Sequence, residues 1–89
     1  MTPPDREAEL LKRITFNPEI FGGKAIVRGR RLAVEHVLSL LGAGDTEETL
    51  LAEYPWLERD DIRACVVYAG RVVGMERFLP RLSEPGAAA

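Results

Sequence analysis

Sulfur and imidazole are nearly missing from this 89-residue sequence, which has one cysteine, Cys65, and one histidine, His36. A single cysteine excludes an intrachain disulfide and a cysteine-built metal site within one chain, and no second histidine exists to complete a metal cluster. His36 stands on a helical stretch between Glu35 and Val37, where an imidazole reads as a surface or packing residue rather than a base. Cys65 lies in an apolar run and reads as a small inert hydrophobe. No Gly-x-Ser-x-Gly or Walker-type spacing is present. These absences argue against an enzyme, and neither metal nor cofactor is expected. Long apolar runs are missing too: none approaches the ~20 residues that span a bilayer. The first nine residues are charged and proline-containing, unlike a secretory leader. A cytoplasmic protein that does not enter membranes is expected.

Strong net charge of one sign is also missing, since the sequence sums to −2. That excludes a uniformly basic nucleic-acid binder. The balance hides an asymmetry: residues 14–33 carry +3 and residues 34–62 carry −7. The basic share is local, in Lys24, Arg28, Arg30 and Arg31, and could meet phosphate on one face while an acidic face points elsewhere. Hydrophobic residues make up 46% and charged residues 29%, the proportions of an ordinary globular domain. A single small helical domain is expected over residues 1–82, with residues 83–89 as a disordered tail rich in small residues. Because so short a chain buries a limited core, self-association is a natural way to enlarge it.

The local patterns divide the chain. Asp5 to Arg13 reads as a short, peripheral amphipathic helix. Ile14-Thr15-Phe16 suggests a strand that stops at Asn17-Pro18, and Lys24 to Arg28 a second strand entered through Gly22-Gly23 and ended by Gly29. Val34, Val37, Leu38 and Leu41 fall at i, i+3, i+4 and i+7, which predicts a helix closed by Gly42 or Gly44. Asp45 then offers an N-cap for a second helix from Thr46 to about Glu53, burying Leu50 and Leu51. Pro55 interrupts it, and Tyr54 and Trp56 are expected to plug the core at the corner. A third helix should begin near Arg59, with Asp60 and Asp61 favouring the positive end of its dipole and Ile62, Cys65, Val66, Ala69, Val72 and Val73 forming its buried stripe. The expected fold is mainly α: a trihelical helix-turn-helix unit with a short N-terminal β-hairpin, its core built on Val34, Val37, Leu38, Leu41, Leu50, Ile62, Val66 and Ala69.

Three short helices joined by tight turns suit DNA binding, because one helix is held across another so that its end can enter the major groove. The same arrangement also serves purely structural roles. The acidic second helix is a poor face for phosphate, so Arg59 and Arg63 are the candidates for base edges, with Lys24, Arg28, Arg30 and Arg31 for phosphates. Two short strands without a partner and an over-apolar third helix point to a homodimer. Further apolar residues at Val72, Val73, Met75, Phe78, Leu79 and Leu82, interleaved with Arg71, Arg77 and Arg81, suit docking into a partner's groove. The same stripe could instead close the protein's own core or dimer.

The run Ile14-Thr15-Phe16-Asn17-Pro18, Gly23-Lys24, Val27-Arg28-Gly29, Arg31-Leu32 and Val34, then Leu40-Leu41, Gly44, Tyr54-Pro55, Asp61-Ile62 and Tyr68-Ala69, resembles domain-of-unknown-function family 433 across residues 14–70. The resemblance implies a homeodomain-like trihelical protein of the VapB antitoxin type, the partner of a nuclease toxin with a PIN-like fold. It also implies DNA binding and control of its own operon. The alternative function is a protein-interaction module that binds no DNA. Three departures stand out: Ala25 replaces a frequent proline, Arg30 a usual threonine, and Glu58 a usual threonine cap.

Overall fold

The computed structural model describes residues 4–74, so the expected tail at 83–89 and the apolar segment from Met75 to Leu82 lie outside the described residues. The chain runs through α1 (Pro4–Leu11), β1 (Ile14–Phe16), a 3-10 turn (Phe21–Gly23), β2 (Ala25–Val27), α2 (Val34–Gly42), α3 (Glu47–Glu53) and α4 (Arg59–Gly74). The architecture is the expected mainly helical one with a short antiparallel hairpin, β1 pairing with β2 so that Ile14 faces Val27 and Phe16 faces Ala25. The hairpin's apolar side closes onto the helices, with Ile14, Val27, Leu32, Val37, Leu50 and Ile62 in one buried cluster. The strands therefore find their partner surface within one chain.

After β2 the chain reverses at once. Arg28 and Gly29 both have positive φ (46° and 71°), and the Arg30 N–H donates to the Val27 carbonyl at 2.8 Å, the pattern of a type I′ turn. Gly29 adopts this geometry without penalty, whereas Arg28 pays roughly 1 kcal/mol for a left-handed backbone. Some other interaction must hold Arg28 there.

The break between α2 and α3 shows why Asp45 is not the cap. Gly44, at φ 106°, closes α2 with its N–H on the Leu41 carbonyl, and the Asp45 N–H reaches back to the Leu40 carbonyl, the paired bonds of a Schellman ending. Asp45 is thus used to finish α2, and capping passes to Thr46, whose hydroxyl accepts from the Thr49 N–H at 3.1 Å. Gly42 is an ordinary residue inside α2. Replacing Thr46 with alanine is expected to cost about 1 kcal/mol, a fall in melting temperature of roughly 4–8 °C. An unchanged transition would mean that the cap contributes nothing.

Helix α4 departs from its expected stripe. With about 100° of rotation per residue, Cys65 and Ile62 point inward as expected, but Asp61 and Ala64 are buried as well. Val66 is 51% exposed, Val72 41% and Val73 65%, so all three leave the expected buried set. The cause is α1, which is not peripheral. It packs along the side of α4 that carries Asp60, Ala64 and Arg71, with Arg6 on Asp60 and Glu7 on Arg71, both at 2.9 Å or less. Leu10 of α1 is fully buried in the core. Covering this second side shifts the buried arc of α4 away from Val66. Of the other expected core residues, Leu38, Leu41 and Ala69 are half-buried.

Candidate functional site

Asp61 is the one charged side chain fully buried among the described residues. Its two oxygens are shared among four donors. Arg28 grips it bidentately, Nε to Oδ1 at 2.9 Å and Nη2 to Oδ2 at 2.8 Å. Arg13 Nη1 donates to Oδ1 at 3.0 Å, and the Glu58 backbone N–H donates to Oδ2 at 2.8 Å. The last bond is one half of a capping box at the start of α4, with Asp61 in the third position. Arg28 also donates to the Trp56 carbonyl at 2.9 Å, and Arg13 to Glu58 at 2.7 Å. Burial pushes the Asp61 carboxyl up, but Arg28, the Glu58 N–H and Arg13 together outweigh it and hold the group below the usual carboxylate range. Hydrogen bonds to Glu58 and Asp61 raise Arg13, and the bond to Asp61 raises Arg28. This cluster is what holds Arg28 in its left-handed conformation.

Arg28, expected to hold phosphate, is therefore committed inside the fold. Lys24 pairs with Glu35 at 2.7 Å, and Arg59 is held by Glu47 at 2.6 Å and Glu48 at 3.2 Å. Arg30, Arg31 and Arg63 remain: all three are exposed, and their side chains make no hydrogen bond or ion pair among the described residues. Arg30 instead lies over the Trp56 ring, 4.7 Å from its centroid, with Arg28 at 5.5 Å. Trp56 and Tyr54 are half-buried and meet edge to face at 6.3 Å. Both pack against the core from the corner as expected, Trp56 also meeting the arginines of the 28–31 turn, while the adjacent Leu57 is the residue buried inside. A hollow of about 590 Å³ gathers Arg28, Gly29, Arg30, Arg31, Tyr54 and Trp56, without Arg59 or Arg63.

The other prominent surface is the outer side of α4. Arg59, Arg63, Val66, Gly70 and Val73 recur at i, i+4, i+7, i+11 and i+14, so they share one exposed face, basic at one end and apolar at the other. Beside it, Ala25, Val34, Leu38, Tyr68, Ala69 and Val72 line an apolar groove of about 370 Å³ whose rim is the Lys24–Glu35 pair. Val72 and Arg71, expected at a partner interface, are both exposed, although Arg71 is tied to Glu7. Met75, Arg77, Phe78 and Leu79, assigned with them, lie outside the described residues. Cys65 is fully buried, and burial, with the Asp61 charge second, pushes its thiol up to about 12, so it is no nucleophile at neutral pH. His36 lies exposed on α2.

Arg13, Tyr54, Trp56 and Asp61 carry the site, and sequence reasoning did not single them out for it. The one available signal was the Tyr-Pro-Trp corner, whose aromatic rings had to pack against something. The protein family described as protein of unknown function (DUF433) matches residues 14–69. The uncharacterized protein y4eO of Sinorhizobium fredii (strain NBRC 101917 / NGR234) is 38% identical over 56 residues, 63% of this chain and 25% of y4eO. The chain thus spans about a quarter of that relative's length. No solved structure matches.

Proposed function

Because the chain belongs to the DUF433 family through residues 14–69, we propose that it acts by binding rather than catalysis, as an antitoxin-type module that holds a protein partner on the outer face of α4. The observation that carries this reading is the apolar end of that face, Val66 and Val73, which continues into the groove beside Val34, Leu38 and Tyr68. An exposed apolar surface rimmed by charge is the usual mark of a protein interface. The partner implied by the family resemblance is a nuclease toxin of PIN-like fold, and an apolar segment of that partner fills the groove. A homodimer would use the same face. Of its two motives in the sequence, the strands without a packing surface are met inside one chain by the burial of Ile14, Ile26 and Val27, and the over-apolar third helix remains in the exposed Val66, Val72 and Val73.

Replacing Val73 with aspartate tests the reading, since an exposed position tolerates the change within about 0.5 kcal/mol of stability. Co-expression with the adjacent gene product should then lose the complex, whereas the unaltered chain retains it. A complex unaffected by the change removes this face from the interface. Sedimentation of the isolated chain separates partner binding from self-association, a 9.9 kDa monomer favouring the former.

A second reading, duplex DNA binding, is favoured by Arg30 and Arg31, which are exposed and make no ion pair among the described residues, with Arg63 exposed beside Asp60. A mobility-shift assay on the promoter of its own operon tests it.

A further inference from the structure

The hollow under the 28–31 turn does not end at Trp56. A second hollow of about 420 Å³ shares Arg31 and Tyr54 with it and continues past His36 to Phe21. Three aromatic residues, Trp56, Tyr54 and Phe21, and two arginines, Arg30 and Arg31, thus line one shallow trough whose two halves meet at Arg31 and Tyr54. Phe21 is exposed although aromatic, and its φ of 50° is a backbone geometry that a bulky residue adopts only when the surrounding chain imposes it. The acid in the trough, Glu35, is neutralised by Lys24, and Arg28 is neutralised by Asp61, so the surplus charge is that of Arg30 and Arg31. Arg30 lies over the Trp56 ring, 4.7 Å from its centroid, and is exposed, so a guanidinium and an aromatic ring are placed together at the trough.

The geometry points to a binding site for single-stranded nucleic acid in this trough, with Arg30 and Arg31 on phosphates and Tyr54 and Phe21 as platforms for unpaired bases. Cations and aromatic faces in one groove are the chemistry that single strands require, because a base offers its π-face only when it is out of a duplex. A paired helix offers phosphate to the arginines but nothing to the rings. Ribose and deoxyribose strands share the recognised groups. This site is separate from the outer face of α4, so it stands or falls independently of the partner reading.

Trp56 is the sole tryptophan of the chain and reports directly on the trough. The full chain is titrated at low salt with labelled hexauridylate, hexathymidylate and a mixed-sequence duplex, following label anisotropy and Trp56 emission. Either single strand should bind more tightly than the duplex and change the Trp56 emission, and the tighter of the two identifies the natural strand. Arg30→Gln with Arg31→Gln should weaken binding at least tenfold and reduce the salt slope by about 1.4, at roughly 0.7 for each phosphate left without its arginine. Tyr54→Leu should weaken it about tenfold with the slope unchanged. Both arginines are exposed and outside the Asp61 cluster, so their variant keeps its fold and its circular dichroism spectrum. Tighter binding of the duplex, an unaltered Trp56 emission on saturation, or an arginine variant that binds like the parent would each overturn the site.

Discussion

Replacing Asp61 with alanine is expected to destabilise the protein by about 3 kcal/mol and to lower its melting temperature by roughly 12–24 °C. The change strands two arginines and one backbone N–H that were arranged around a single fully buried carboxylate. Arg13 and Arg28 each keep some contact with water, 28% and 32% of their side-chain surface, which places the loss at the lower end of what a broken buried pair costs. Asp61→Asn should lose nearly as much, because an amide offers its NH2 group to guanidinium donors. The pH dependence follows from the lowered carboxyl. A group whose pKa is lower in the folded state stabilises the fold fully above its unfolded value of about 3.9, and that contribution disappears as pH falls through the folded value. The parent should therefore lose stability below about pH 4 more steeply than Asp61→Asn does. Thermal melts over the acid-to-neutral range check both statements, and an alanine variant that melts like the parent would remove Asp61 from the centre of the fold.

Leu10→Ala should cost about 3 kcal/mol, although Leu10 lies ahead of residues 14–69, the segment shared with the family. Leu10 is 1% exposed and joins the same buried cluster as Ile14, Ile62, Ala64 and Cys65. Truncating it opens a cavity beneath α1, next to the side of α4 from which water is otherwise excluded. In urea the midpoint should fall by roughly 2 M, given a denaturant slope of about 1.5 kcal/mol per M for a small domain. A shift below about 0.5 M would mean that α1 is peripheral after all. The Arg6–Asp60 and Glu7–Arg71 pairs contribute little beside this, being largely solvent-exposed.

The helices were legible because their apolar spacing is local. Val34 and Val37 announce α2, and Pro55 announces the end of α3, without reference to anything distant in the chain. The Asp61 cluster was not legible for the opposite reason. An aspartate in the first turn of a helix is explained by the helix dipole alone, and nothing local distinguishes a solvated one from one gripped by Arg28, 33 residues away. Val66 was misplaced by the same blindness: its exposure depends on which side α1 covers, a tertiary choice. The basic residues at 24, 28, 30 and 31 look alike in the sequence. The structure divides them into one structural arginine, one lysine paired on the groove rim, and two arginines presented to solvent. The aromatic side of the trough was visible only as a corner, because its partners come from the hairpin turn.

The type I′ turn and the first turn of α4 are far apart along the chain, yet they share one carboxylate. Opening the turn takes the bidentate Arg28 away from Asp61 and leaves the carboxylate with Arg13 and the Glu58 N–H alone, so opening of the amides of Arg28 to Arg30 is coupled to opening of those of Glu58 to Ile62. Hydrogen-exchange protection of these two stretches is therefore expected to change together when Asp61 is replaced. A strand pair of three residues each, marginal on its own, is thereby tied to the longest helix among the described residues.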